Sequence, residues 1–249
     1  MSIRRPTGRD RRGNSGVRFP SLSAFYTLGI KIHYDAAVGI TQTGRGVSQW
    51  NDQSGNGNNL VQATDANRPL YVTGDTPGGT PCVHFDAAST QLAKLAGATN
   101  ASAAAYTLFF VVKRLADSTR AYQHDNGGGT AGVTLKSTTG NRQVTCQNST
   151  SLTDGAWSAN YEVQCWRIAA SGGFGTAVDT NELYINGVLQ SAPAGTPNLL
   201  QATNVIVMGI TGSTGAFKFA ELAEAPGTLL SAYDCVALSK GLMQKHGVT

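Results

Sequence analysis

Glu221 and Glu224 come closer than any other carboxylates in the sequence to the acid pair of a glycosidase. Retaining glycosidases need two carboxyl groups about 5–5.5 Å apart. Residues two or four apart on a strand share a face, and no acidic cluster with that spacing occurs. Glu224 also precedes Ala-Pro-Gly, which predicts a turn. We therefore expect Glu221 to support a sheet, Glu224 to be solvated in a turn, and the chain not to be an enzyme.

Other catalytic motifs are incomplete. Residues 211–215 read Thr-Gly-Ser-Thr-Gly and lack the first glycine of a serine-hydrolase elbow. Residues 55–57 read Gly-Asn-Gly and lack the Gly-Lys-Ser/Thr ending of a phosphate-binding loop. The four histidines show no local metal-binding spacing. The four widely spaced cysteines are expected to be reduced core thiols, with a disulfide as the alternative.

A polar loop lies between Trp50 and Leu60, because the nine intervening residues are all polar or glycine. Asp and Asn side chains bond to nearby backbone and Gly accepts positive φ, so this run predicts a tight, self-bonded turn. Asp52, Asn56 and Asn58 also offer oxygens to calcium. Calcium takes six to eight oxygen ligands, and this loop supplies a single carboxylate. We expect no cofactor, with calcium as the alternative.

Three aromatic residues are candidates for glycan binding: Trp157, Tyr122 and Tyr161. A sugar-binding site needs exposed aromatic faces with polar groups beside them. Trp157 lies in a polar stretch and is expected to be outside, although the interior is the default place for an aromatic side chain. Cell-surface glycan is therefore a candidate partner.

The first 20 residues predict an extended arm without apolar periodicity. Its first 18 residues hold one aspartate and six arginines, a net charge of +5, whereas the whole chain carries +4. The candidate partner-binding residues of this arm are Arg4, Arg5, Arg9, Arg11, Arg12, Arg18 and Phe19. Arg forks suit carboxylates and also phosphates. We favour an acidic protein surface over nucleic acid, with self-association as a further option.

The rest of the chain, residues 21–249, reads as one all-β domain. Residues 106–114 are nearly all apolar, which is typical of a strand buried on both faces. Asn186-Gly187 predicts a two-residue hairpin turn. A closing helix is predicted over 231–246, with Ser231 as its N-cap and Gly247 as its stop. Many short strands and one helix predict two antiparallel sheets packed face to face, with Phe109, Val111, Tyr184 and Trp50 buried.

Five segments in order resemble the concanavalin A-like, or laminin-G-like, jelly-roll domains of phage and bacterial proteins. They are 47–58 with 67–71, 106–112, 181–187, 217–222, and the closing helix ending at Lys245-His246-Gly247. The resemblance covers roughly residues 30 to 247. It implies a jelly-roll sandwich but no particular activity, because this fold serves many functions.

Together these features predict a non-enzymatic attachment protein of a phage virion: a capsid decoration, tail or fibre accessory. The arm would anchor it to other virion proteins and the jelly roll would be displayed. No apolar segment follows the basic start, so we expect synthesis in the host cytoplasm without a signal peptide, and no membrane partner. The alternatives are a soluble lectin-like glycan-binding module and, more weakly supported, a glycoside hydrolase.

Overall fold

The computed structural model describes residues 27–44, 46–86, 91–94, 105–117, 120–125, 132–146, 150–169, 181–190, 205–209 and 215–249. Within these ranges the chain forms two antiparallel sheets packed as a sandwich, with a helix on the outside of one sheet. The predicted all-β sandwich with a C-terminal helix is confirmed. The predicted arm, residues 1–20, lies outside the described residues, so its boundary and its contacts remain predictions.

In chain order the elements are β1 (Ile32–Asp35), β2 (Ile40–Thr43), β3 (Gly46–Trp50), β4 (Leu60–Val61), β5 (Leu70–Val72), β6 (Cys82–Phe85), β7 (Leu92–Lys94), β8 (Ala105–Arg114), β9 (Tyr122–Asp125), β10 (Gly132–Thr138), β11 (Asn141–Cys146), β12 (Thr150–Ala156), β13 (Glu162–Ala169), β14 (Glu182–Ile185), β15 (Val188–Leu189), β16 (Val205–Met208), β17 (Phe217–Pro226) and α1 (Ala232–His246). In the described residues, sheet A has the order β15-β14-β13-β8-β17-β6-β5, with β1 also paired to β17. Sheet B has the order β12-β11-β10-β9-β16-β7-β4-β3-β2.

Sheet A is covered on both faces, which explains why β8 is almost continuously apolar. Leu108 and Phe110 point into the core between the sheets, whereas Phe109 and Val111 point to the layer under α1. Alternate residues of a strand face opposite sides, so a strand between two apolar layers needs no polar face. Trp50 and Tyr184 are also buried, and the predicted set of four core residues is confirmed.

Helix α1 begins and ends where its capping residues predict. The Ser231 side chain accepts a hydrogen bond from Asp234 N at 3.1 Å, and Gly247 closes the helix in the left-handed region at φ 67°. Cys235, Leu238 and Leu242 recur at helical spacing and are buried against sheet A. No helix in the described ranges is long and apolar enough to cross a membrane.

The hairpin turn at Asn186-Gly187 is also confirmed, because both residues have positive φ, 51° and 73°. The polar loop 51–59 leaves the sandwich at Trp50 and returns at Leu60. These two residues are fully buried and pair with each other across β3 and β4. The indole of Trp50 donates to Asp35 O at 3.0 Å, which fixes the loop entry to β1.

Candidate functional site

A β-bulge in β17 sets which face of sheet A each of its two glutamates points to. The register with β8 runs from Phe219, opposite Val112, to Glu221, opposite Val111, so Ala220 is the extra residue. Beyond the bulge, Glu221 shares the helix side of sheet A with Val111, and Glu224 points with Leu108 into the core between the sheets. The two carboxylates therefore lie on opposite faces of one strand.

On the helix side, Glu221 is 1% exposed and is surrounded by cationic and ring donors. Its Oε1 lies 2.7 Å from His33 Nε2, and its Oε2 lies 2.8 Å from His246 Nε2 and 2.6 Å from Lys245 Nζ. Lys245 also donates to Asp35 Oδ2 at 2.6 Å. Burial opposes ionisation of Glu221, but its hydrogen bonds to His246 and His33 and the charge of Lys245 hold its pKa far below the usual range.

This helix-side cluster joins parts of the chain that are far apart in sequence. It ties β1 through His33 and Asp35, β17 through Glu221, and the last turn of α1 through Lys245 and His246. Nδ1 of His246 also lies 2.6 Å from the Thr80 hydroxyl. Glu221 supports the sheet, as the sequence predicts, and it also binds the last turn of α1 through Lys245 and His246.

In the core between the sheets, Glu224 is fully buried. Its carboxylate accepts a hydrogen bond from the Tyr122 hydroxyl and lies 2.8 Å from His124 Nδ1. The prediction of a solvated Glu224 in a turn is wrong, because β17 continues to Pro226 and sheet B supplies polar partners inside the sandwich. Burial and the Glu224 charge raise the pKa of Tyr122 well above its usual value.

The three predicted glycan-stacking aromatics are buried. Trp157 is 4% exposed and packs on Phe217 with ring centroids 5.3 Å apart. Tyr161 is 4% exposed and donates to Asp75 Oδ2 at 2.7 Å, and Tyr122 is the core partner of Glu224. The expectation that Trp157 lies outside is wrong: its polar sequence neighbours gave no sign that the ring turns inward against β17. None of these three rings offers an open face to a sugar.

The calcium candidates hold their own loop together. Asp52 Oδ1 accepts from the backbone N–H groups of His33 and Ser54, and its Oδ2 accepts from Ser54 Oγ and Asn58 N. Asn56 and Asn58 turn their amide nitrogens to the carbonyl of Lys31. The carboxylate is thus engaged by four donors in a self-bonded turn clamped to the start of β1.

The seven predicted arm residues, Arg4, Arg5, Arg9, Arg11, Arg12, Arg18 and Phe19, lie outside the described residues. Their role as a partner-binding surface stays a prediction.

Sequence reasoning missed a polar surface on the outer face of sheet B. Along β10, Val133 and Leu135 point into the core, so the alternate residues Thr134 and Lys136 point outward. The outward-facing residues of these strands, which we call the β10–β12 face, are Thr134, Lys136, Thr138, Gln143, Thr145 and Thr153. Gln123 of β9 lies opposite Thr134 and is buried. The signal that could have identified it is the alternation of apolar and polar residues over 133–136.

Hydrogen bonds order part of this face. Thr138 Oγ1 donates to Gln143 Oε1 at 3.2 Å, and Gln143 Nε2 donates to Thr153 Oγ1 at 2.9 Å. Arg120 reaches Gln123 Oε1 at 3.5 Å. The pKa of Lys136 is lowered, first by partial burial and then by the positive charge of Arg120.

Comparison with known proteins identifies the fold but no family. The chain matches no protein-family model and no curated protein. Among solved structures it resembles the binding domain of Paraclostridial Mosquitocidal Protein 1, with a TM-score of 0.61 and 10% identity over 88% of this chain and 53% of that one. A second similar structure concerns botulinum neurotoxin type C, whose cell entry is dependent upon interaction with two ganglioside molecules. Its TM-score is 0.62 and its identity 9%, over 89% of this chain and 53% of that one.

A sialidase has a similar fold. The Trypanosoma rangeli sialidase in complex with sialic acid matches with a TM-score of 0.55 and 12% identity, over 91% of this chain and 34% of the enzyme. The chain therefore spans about half the length of the toxin chains and a third of the enzyme. At these identities the likeness establishes a shared β-sandwich fold.

Proposed function

We propose that this chain is a non-catalytic attachment module whose β-sandwich binds a glycan. The observation that carries the proposal is the match, over nearly the whole chain, to the folds of binding domains such as that of the mosquitocidal protein. The named ganglioside dependence of the neurotoxin C structure supports glycan as the ligand class.

The positions of Glu221 and Glu224 support the non-catalytic part of the proposal. A glycosidase places two carboxyl groups on either side of one scissile bond. Here the two glutamates, three residues apart, lie on opposite faces of β17, and both carboxylates are buried and engaged with protein donors. The likeness to the sialidase, at 12% identity, is one of fold.

The test is a glycan array probed with the intact protein, followed by incubation of each binding glycan and product analysis. Specific hits without turnover support the proposal. Release of a shorter glycan would overturn the non-catalytic reading, and an array without hits would overturn glycan binding.

We further propose that the module is a virion component, of the phage type that the sequence resemblance implies, mounted through residues 1–20. The supporting observation is the charge distribution: +5 in the first 18 residues against +4 for the whole chain, which leaves the remainder near neutral. Such an arm would attach to an acidic surface of another virion protein while the sandwich is displayed.

A further inference from the structure

One of the three tryptophans keeps its indole N–H group without an acceptor in the described part of the sandwich. The indole nitrogens of Trp50 and Trp166 each lie 3.0 Å from an acceptor, a backbone carbonyl and a glutamine side chain. Nε1 of Trp157 is buried and has no hydrogen-bond partner among the residues that the structure describes. Buried polar groups of native proteins are nearly always paired, because an unpaired donor is costly. Trp157 therefore holds a donor that a ligand can satisfy.

A second unpaired donor belongs to Arg114, the last residue of β8. Its Nη1 lies 2.9 Å from Asp117 Oδ1, so the ion pair uses one end of the guanidinium. Nε is buried without a partner, and no described residue bonds to Nη2. Arg142 shows how this edge is used elsewhere in the chain, since its Nε and Nη2 hold both carboxylate oxygens of Glu162, at 2.8 and 2.6 Å. The same edge of Arg114 is open to two acceptor atoms.

Strand pairing and ring packing bring these donors together. Arg114 lies directly opposite Phe217 in the β8–β17 register, and side chains in that relation share a face of the sheet. The ring of Trp157 packs on that of Phe217, with centroids 5.3 Å apart. The backbone N–H of Trp157 donates to Gly140 O at 2.8 Å. Gly140 N in turn donates to Asp117, the ion-pair partner of Arg114, at 3.0 Å. Both open donors therefore lie around Phe217 and Gly140, at one end of the core between the sheets.

We propose that Arg114 and Trp157 form a binding site for a neutral sugar, whose oxygens accept from the Nε–Nη2 edge and from the indole N–H. Asp117 already balances the charge of Arg114, so the site needs acceptor atoms rather than a negative charge. The Asp117 side chain is 45% exposed and can accept from a sugar hydroxyl. A sugar suits this set because each hydroxyl both donates and accepts. This inference rests on the proposed glycan-binding function and specifies its site and ligand class.

Entry to the site requires a shift of the arginine. Nε of Arg114 and Nε1 of Trp157 are both buried, but the Arg114 side chain is 24% exposed whereas Trp157 is 4% exposed. The guanidinium can therefore move outward on its flexible stem and admit the sugar beside the edge of the indole. Because the unpaired donors make the closed arrangement costly, a ligand that pairs them favours the open one.

The test observes the indole N–H groups directly. Protein with isotope-labelled tryptophan gives one indole signal per tryptophan in a proton–nitrogen correlation spectrum, and Trp→Phe variants assign the signals. Lactose, maltose and methyl mannoside are the probes. We expect at least one of them to shift the signal of Trp157, while the signals of Trp50 and Trp166 stay in place because their acceptors lie within the protein.

Matched variants locate the contacts. Arg114→Lys keeps a charge beside Asp117 but loses the Nε–Nη2 edge, so it should lower affinity for the shifting sugar about tenfold. Arg167→Lys is its control, because the Nε of Arg167 already donates to a backbone carbonyl, and affinity should not change. Trp157→Phe should also lower affinity about tenfold. Trp50→Phe shrinks a ring equally but also breaks a hydrogen bond, so it should lower the melting temperature further and leave affinity unchanged.

The outcomes separate this inference from the proposal beneath it. A sugar that binds without moving the Trp157 signal, or that binds Arg114→Lys as tightly as the wild type, overturns this site and leaves glycan binding standing. Binding of sialyllactose about tenfold more tightly than lactose would make the ligand acidic and overturn the neutral class. If neither these sugars nor a glycan array give binding, both proposals fail.

Discussion

At the residue scale, Glu221 is the buried charge on which the helix-side contacts converge. Glu221→Gln keeps the shape but leaves Lys245, His33 and His246 without their shared carboxylate. Removing one partner of a buried ion pair costs several kcal/mol, so we expect a loss of about 2–4 kcal/mol in the free energy of unfolding by urea denaturation. Asp65→Asn, which breaks the ion pair between an exposed aspartate and Arg68, is the control and should cost less than about 1 kcal/mol.

Glu221 should also determine how steeply the free energy of unfolding falls at acid pH. The folded-state pKa of Glu221 is lowered, so its contribution is fully present above the unfolded pKa of about 4.3 and is lost as pH falls below it. The pKa of Lys245 is raised, so its contribution is lost only as pH rises past about 10.4. Between these limits neither of these two pKa shifts changes the stability. Glu221→Gln should therefore flatten the fall in stability below about pH 4, and an equally steep fall would contradict the assignment.

Tyr122 is the second residue whose role can be measured. Tyr122→Phe removes the hydroxyl donor of a fully buried Glu224 and leaves His124 as the side-chain partner of its carboxylate among the residues that the structure describes. An unsatisfied buried acceptor costs about 1–3 kcal/mol, and we expect that loss in the free energy of unfolding. Tyr233→Phe removes a hydroxyl from a side chain that is 76% exposed and should change nothing. Equal effects of the two substitutions would argue against a core role for the Tyr122 hydroxyl.

At the element scale, the C-terminal end of α1 packs closely against the backbone of Gly78. A Cβ added to Gly78 would lie 2.6 Å from the backbone carbon of His246, closer than real contacts allow. Gly78→Ala should therefore lift the helix end and cost about 1–3 kcal/mol in thermal or urea unfolding. Gly155→Ala is the matched control, since a Cβ there meets nothing within 4 Å. A tolerated Gly78→Ala would mean that the helix end is loosely packed.

At the scale of the whole molecule, the arm and the sandwich should be separable. Deleting residues 2–18 removes a net charge of +5 and no described contact of the sandwich, so the melting transition should not move. The truncated protein should fail to join particles in the producing cell, as measured by sedimentation.

Salt provides the control for that prediction. Attachment of the intact protein should weaken as salt rises, and replacing Arg4, Arg5, Arg11 and Arg12 by Ala should weaken attachment and flatten the salt dependence. Normal assembly of the truncated protein would refute arm-mediated mounting. Unfolding of the truncated protein would instead place the arm within the fold.

The sequence by itself determined the local features of this protein. The capping residues predicted the ends of α1, Asn186-Gly187 predicted a hairpin turn, and the polar run after Trp50 predicted a self-bonded loop. Each of these features depends on neighbouring residues alone. Only the tertiary structure decided which side chains face which layer. One extra residue in β17 reverses which face of sheet A Glu221 and Glu224 each point to. Strands distant in sequence cover Trp157 and Tyr122. Lys136, on the outer face of sheet B, has no described partner. The alternation of side chains along a strand assigns each residue to one of two faces, but the packing of the layers determines what covers each face.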